Sequence, residues 1–262
     1  MEHKSNPEMA RQSFIKGTDY FSKWIKFKQE VSIPKRIAQT KTPGPDAKNS
    51  AQFVFKIFIE RYELLIEKYS RGDDLNELRT MLPEIVEAWE WARREELKVF
   101  NEAEMARRHG FAVNFDAHNL ALWMVSIALC LEADDELFKR MLALIGNESV
   151  DKLFEKLVGT RVSGRKPADN WLYASSYDAL IAVVADPQSP HSPARLKQFL
   201  DNWYPAMKKT YWHDCHLGKD GGGYFGYWCF EAASVVKAFK LDDSLIRENP
   251  YYPKDMAAFT CM

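Results

Sequence analysis

Two histidines three apart, His213 and His216, bracket Asp214 and Cys215. That spacing suits two metal ligands on a helix, with a third ligand from Asp214, Cys215 or a distant residue. Gly218 and the glycines at 221–223 follow at once, which points to a loop or a helix end. A histidine packed on aromatics, or donating to a carbonyl, is the plainer use of either ring. The run GKDGGG exposes consecutive amides ahead of an expected helix start at Tyr224, an arrangement friendly to phosphate. No strand precedes it and no GKS or GKT follows, so it is neither a Walker loop nor a dinucleotide fingerprint. Glu231 lies among aromatics in YFGYWCFEAASVV. A carboxylate there needs a partner, such as Trp212, Tyr177, His213 or Arg195. A raised pKa would suit an acid role, but no second essential group accompanies it, and a structural hydrogen-bond hub is the alternative. Asp116 and His118, two apart, cannot share a helix face. HExxH, GxSxG, an EF-hand loop and a Cys–His nucleophile signature are all absent from the sequence.

Acidic side chains offer a second kind of chemistry. Glu84, Glu87, Glu90 and Glu95 could line one side of a long helix, solvated and paired locally with Arg93 and Arg94. Denser groups fall at helix boundaries: Asp73, Asp74 and Glu77, then Glu132, Asp134, Asp135 and Glu136. Such groups could form a negatively charged face for a protein partner, in particular a basic protein that cleaves nucleic acid.

The elements that must position these groups are helical. The chain has 262 residues, 46% of them hydrophobic, with eight Trp. That composition excludes disorder, a collagen-like chain and a small disulfide-dependent scaffold. Its 36 basic and 37 acidic groups balance, so no overall basic field draws nucleic acid. The balance is uneven: residues 1–50 carry ten basic and five acidic groups, whereas residues 111–159 carry four and eight. The four cysteines form no close CxxC pair, and the best apolar run, 120–131, is too short to span a bilayer. The polar N-terminus has no signal-peptide pattern. A soluble, cytoplasmic protein without metal or other cofactor is the expectation.

Period 3.6 predicts a first helix over 9–31, then a linker over 34–50 around Pro43, Gly44 and Pro45. Asn49 or Ser50 is expected to cap a helix running to about Tyr69, with Gly72 ending it and Asp73 or Asp74 capping the next. That next helix spans 75–109, with Pro83 as a kink or first-turn residue. Trp89 and Trp91 cannot share one face of it, so either the helix is covered on more than one side or one Trp is exposed. Residues 115–131 are apolar almost all round and should form the central core helix. Helices over 134–145, 149–158 (capped by Asn147 or Ser149), 169–185, 194–212 (perturbed at Pro205) and 224–239 complete the pattern. The fold expected is all-α: an irregular multi-helix bundle of stacked antiparallel hairpins, about nine or ten helices. Its expected organisation is a flexible N-terminus at 1–8, an N-terminal helical domain at 9–130, and a C-terminal helical domain at 131–262 packed closely on it. A polar break at 159–170 is the main internal interruption.

Three C-terminal stretches carry a family resemblance. They are GYFGYWCFEAA at 223–233, LDDS at 241–244 and PYYPKD at 250–255. Together they resemble the C-terminal domain of the PoNi family of bacterial immunity proteins. The N-terminal half is similar in layout to the family's N-terminal domain, from Arg11 through Tyr20-Phe21 to Tyr62 and the stretch Lys68-Tyr69-Ser70-Arg71-Gly72. The resemblance spans about 9–255. It implies an all-helical protein with no enzymatic activity that binds a cognate PoNe-type DNase effector of a polymorphic toxin system, often one delivered by type VI secretion. Inhibition would block the toxin's active site or its DNA-binding cleft. The motif residues Tyr227, Trp228, Glu231, Asp242, Asp243, Tyr251 and Tyr252 read as fold determinants. The acidic groups Asp73, Asp74, Glu77, Glu132, Asp134, Asp135 and Glu136 read as the toxin-binding face, because a DNase must hold a basic cleft. Two other readings stay open: a helical adaptor for a different protein partner, and an enzyme in which His213, His216 and Glu231 converge.

Overall fold

The helix Ala47–Arg71, α3 below, shows how the sequence sets its elements. The Asp46 carboxylate accepts from the amides of Lys48 and Asn49, which supplies the N-cap. At the other end Gly72 takes φ 115° and its amide closes on the Lys68 and Tyr69 carbonyls, a conformation that a Cβ disfavours. A computed structural model of the chain describes residues 9–42, 44, 46–218 and 222–261. Residues 1–8, the linker prolines at 43 and 45, and residues 219–221 of GKDGGG, on which sequence expectations fell, lie outside the described residues. Among the described residues every regular element is a helix and none is a strand.

The described residues group into two units. The first comprises Met1–Asn101 and Cys215–Gly226, the second Glu102–Asp214 and Tyr227–Met262.

In the first unit α1 (Thr18–Phe27) runs through a π-helical turn, Lys28–Ser32, into α2 (Ile33–Thr40). Both α1 and α2 pack on α3 (Ala47–Arg71), which forms an extensive hairpin with α4 (Leu75–Val99). Much of the expected linker at 34–50 is thus helix. Pro34 sits in the first turn of α2, directly after the π turn. The cap of α3 is Asp46, not Asn49 or Ser50, because its side chain reaches both free amides. Asp74 caps α4 through Asn76 and Glu77, as its spacing predicts. Trp89 is buried and stacks on Phe58 at 4.6 Å, while Trp91 on the other flank is half-buried. The helix expected to run to residue 109 breaks at Phe100, which is extended, and resumes as α5 (Glu102–His109) in the second unit.

The second unit is built on α6 (Phe115–Cys130), buried almost all round and capped by Asn114. α7 (Asp135–Ile145) starts at the Asp134 cap and ends at Gly146. α8 (Lys152–Val158) is capped by Asp151 rather than by Asn147 or Ser149. Asn147 bridges instead, accepting from the Phe111 amide and donating to the His109 and Ile145 carbonyls. α9 (Ala174–Ala185) pairs with α10 (Ser192–Ala206), which carries Pro193 in its first turn and Pro205 near its end. α11 (Phe230–Phe239) packs along α6, with the Ser234 hydroxyl donating to Ser126 Oγ at 2.9 Å and Lys237 Nζ donating to the Cys130 carbonyl. α12 (Lys254–Ala258) closes the chain.

One expected helix begins late. Residues 224–229 are not helical, and α11 begins only at Phe230. In the first unit the Tyr20 hydroxyl takes the Tyr224 amide and donates to its carbonyl, and the Ser70 hydroxyl donates to the Phe225 carbonyl. These side chains satisfy backbone groups that a helix would have used. Gly226 at φ 121° takes a non-helical conformation that residues with a Cβ rarely adopt.

Candidate functional site

Most of the acidic groups have a local partner. Asp74 caps α4, and Asp73 makes two contacts to Arg71 at 2.7 and 2.6 Å. Glu77 is exposed in the first turn of α4. In the second unit Asp134 accepts from the Leu137 amide as the cap of α7. Asp135 meets Arg161 at 2.8 Å, and that guanidinium holds its carboxyl below the usual range. Glu132 stands at φ 51°, pairs with Lys237 at 3.0 Å and accepts from the Cys261 amide. Glu136 is exposed beside them. Glu132, Asp134, Asp135 and Glu136 therefore cluster at the start of one helix, and Asp73, Asp74 and Glu77 at the start of another. Carboxylates at a helix N-terminus stabilise it and keep their charge toward solvent, so capping and partner binding are compatible.

The motif residues occupy the second unit's interior and its C-terminal turn. Tyr227, Trp228, Glu231 and Tyr252 are buried. Asp243 accepts from the Tyr252 hydroxyl and pairs with Arg247 at 2.7 Å. The backbone amide and the hydroxyl of Ser244 hold the Asp242 carboxyl below its ordinary value. The half-buried Tyr251 ring stacks on Tyr204 at 5.3 Å. Among the described residues Glu231 has no cationic partner: Trp203 Nε1 donates to its Oε1 at 2.8 Å, and none of the four partners expected from sequence holds it. The Trp123 indole and the Cys229 thiol also lie by this carboxyl, and among the described residues its Oε2 has no hydrogen bond of good geometry. Burial pushes this carboxyl up to about 7. Around it Trp123, Trp203 and Trp212 stack with centroids 5.0–6.3 Å apart. Such a site accommodates a neutral acid more readily than a charged one.

His213 stacks on Tyr204 at 4.3 Å and sits 3.3 Å from Asp214. It belongs to the second unit with Glu231, whereas His216 belongs to the first and lies edge-on to Tyr224 at 6.2 Å. Among the described residues no group of three His, Cys, Asp or Glu side chains could hold a metal ion.

Two buried polar clusters have no counterpart in the sequence reading. His118 Nε2 lies 3.0 Å from Asp151 Oδ2, both fully buried, with Phe111, Phe115, Tyr173 and Tyr177 around the ring. Asp151 also accepts from the Phe154 and Leu172 amides, so the pair ties α6 to the start of α8. In the first unit Lys28, the first residue of the π turn, lies 2.9 Å from Glu63 and 3.0 Å from Glu67. Ser32 donates to Glu60, which also takes Arg36 Nε at 2.7 Å. Lys28 is held above its ordinary value by Glu63 and Glu67 against the opposing effect of burial. Glu67 is also pushed up, to about 7, because burial outweighs Lys28. The signal was present: residues 28, 32 and 36 at spacing four face residues 60, 63 and 67 at spacings three and four.

These features define an all-α protein of two helical units, with acidic groups at helix starts and its buried ionisable groups engaged in the interior. Family models for the PoNe immunity proteins match almost the whole chain, the N-terminal one over residues 10–143 and the C-terminal one over residues 149–256. The chain belongs to the PoNe immunity protein (PoNi) family. No curated protein sequence matches it. Among solved structures it is similar to the crystal structure of protein PA2201 from Pseudomonas aeruginosa. That match has TM-score 0.68 and 16% identity, covering 97% of this chain and 91% of that one, a likeness of fold. Among the described residues no helix is long and apolar enough to cross a membrane.

Proposed function

We propose that this protein binds the nuclease domain of a cognate PoNe-type DNase effector in the cytoplasm and neutralises it without any catalysis of its own. The observation that carries this reading is the pair of immunity-family matches spanning the chain. The effector would belong to a polymorphic toxin system, such as one delivered by type VI secretion. Inhibition occludes the active site or the DNA-binding cleft. A cleft that holds DNA is lined with Lys and Arg, and an acidic surface both steers toward it and fills it. Glu77 and Glu136 are exposed, and Asp74, Asp134 and Asp135 keep carboxylates toward solvent at helix starts. They are the residues proposed to meet the toxin's cations, with Asp73 and Glu132 beside them. No nucleic acid contact by this chain is part of the mechanism. The test is calorimetric titration of the purified protein into the nuclease domain encoded beside its gene. Nanomolar one-to-one binding supports the reading. Absence of binding to a folded, active nuclease overturns it and favours an adaptor with a different protein partner.

A further inference from the structure

The first unit carries a groove of about 810 Å3 between the end of α2, the start of α3 and the end of α4. Its floor is apolar: Phe53, Val54, Trp91 and Val99. Phe53 keeps 38% of its surface exposed, a large aromatic left open to solvent. The volume lies in the range of sites that enclose a ligand or an anchoring side chain, about 300–1,000 Å3.

The rim charges select the occupant. Glu95 and Asp46 line the groove, and so does Lys98. Lys98 lies 2.8 Å from Glu95 in an i,i+3 pair that is largely exposed. Exposed pairs of this kind contribute little and give way to an incoming cation. The Asp46 carboxylate caps α3 and is exposed. An apolar side chain followed by Lys or Arg would bury its body on the floor and place its charge against these carboxylates.

The wall is also held in place. Gln39 and Thr40, at the end of α2, border the groove. The register of α2 is set by the π turn before it, and that turn is pinned by Lys28 on Glu63 and Glu67 and by Ser32 and Arg36 on Glu60. A π turn shifts every later side chain around the helix relative to an uninterrupted α-helix, and such turns recur at functional sites. Buried ion pairs are costly, and fixing a register is their best-attested use. A preformed socket binds with less ordering cost than a mobile one.

We infer that this groove is the socket for an apolar anchor of the nuclease toxin, a bulky side chain with an adjacent Lys or Arg. The inference rests on the immunity reading above. A nuclease surface rich in cations supplies such a segment, and one deeply inserted side chain commonly carries a large share of the affinity.

The experiment measures binding of the full chain to the nuclease domain for the wild type and for Asn49→Trp, Phe53→Ala and Glu95→Lys. Asn49 is exposed on the first turn of α3 and lines the groove, so a Trp there fills it. The expected result is about 100-fold weaker binding for Asn49→Trp and Phe53→Ala, and about tenfold weaker for Glu95→Lys, with thermal unfolding close to wild type. Should Asn49→Trp not fold, Phe53→Ala decides. Wild-type affinity in the folded groove variants overturns the socket and leaves the immunity reading standing. Failure of the wild type to bind an active nuclease overturns both.

Discussion

Replacing Glu231 by Gln should stabilise the protein at alkaline pH and leave it nearly unchanged in acid. The carboxyl is fully buried, accepts one indole hydrogen bond, and is pushed from an ordinary 4.5 up to about 7 by burial. A glutamate whose folded value is raised stabilises the fold fully only below its unfolded value. That contribution is lost as pH rises through about 7. Between about pH 5 and about pH 8 the loss from this one group is about 2.5 kcal/mol. Glutamine resembles the protonated acid, with one acceptor for Trp203 Nε1 and a donor in place of Oε2, and it does not titrate. The assay is urea unfolding followed by tryptophan fluorescence at the two pH values, for wild type and variant. The wild type should lose about 2.5 kcal/mol more than the variant over that interval. An equal loss in both proteins would refute the argument that burial holds Glu231 neutral. So would a variant destabilised at both pH values, since it would mean that the charged form is the one the site accommodates.

Further outcomes follow from other sites. Lys28→Met should cost about 3 kcal/mol in chemical unfolding, because Glu63 and Glu67 lose their shared cation. Glu67 rises to about 7 even with Lys28 present, so the cost should grow as pH rises through neutrality; a cost independent of pH would contradict this. Asp74→Ala and Asp134→Ala should each lose about 1 kcal/mol through the missing caps, whereas Glu136→Ala should stay within about 0.5 kcal/mol. The double variant Asp135→Lys/Glu136→Lys should slow association with the nuclease about tenfold at low salt, measured by stopped flow, with the difference shrinking as salt is added.

The parts of the fold legible in the sequence are those governed by local chemistry. Gly72 and Asp74 act within one turn, so the end of α3 and the cap of α4 follow from residue type. The all-apolar 115–130 segment announces a core helix in the same way. Where distant groups intervene, local reading fails. Residues 224–229 have helical composition, but Tyr224 and Phe225 give backbone bonds to Tyr20 and Ser70, some 150–200 residues earlier in the chain. The π turn at Lys28–Ser32 depends on carboxylates of another helix. The candidate site is legible only in part. Acidic clusters are visible in the sequence, but their capping and ion-pair roles, and the groove beside Trp91, require the packing of α2, α3 and α4. Trp89 and Trp91 are the one local hint, since their spacing keeps them off a common face, so that either the helix is covered on more than one side or one Trp is exposed.

The most direct test of the central claim is DNA cleavage by the cognate nuclease domain, titrated with this protein. Cleavage should fall in proportion to added protein and be abolished at one-to-one stoichiometry. Undiminished cleavage in the presence of a large excess of folded protein would contradict it.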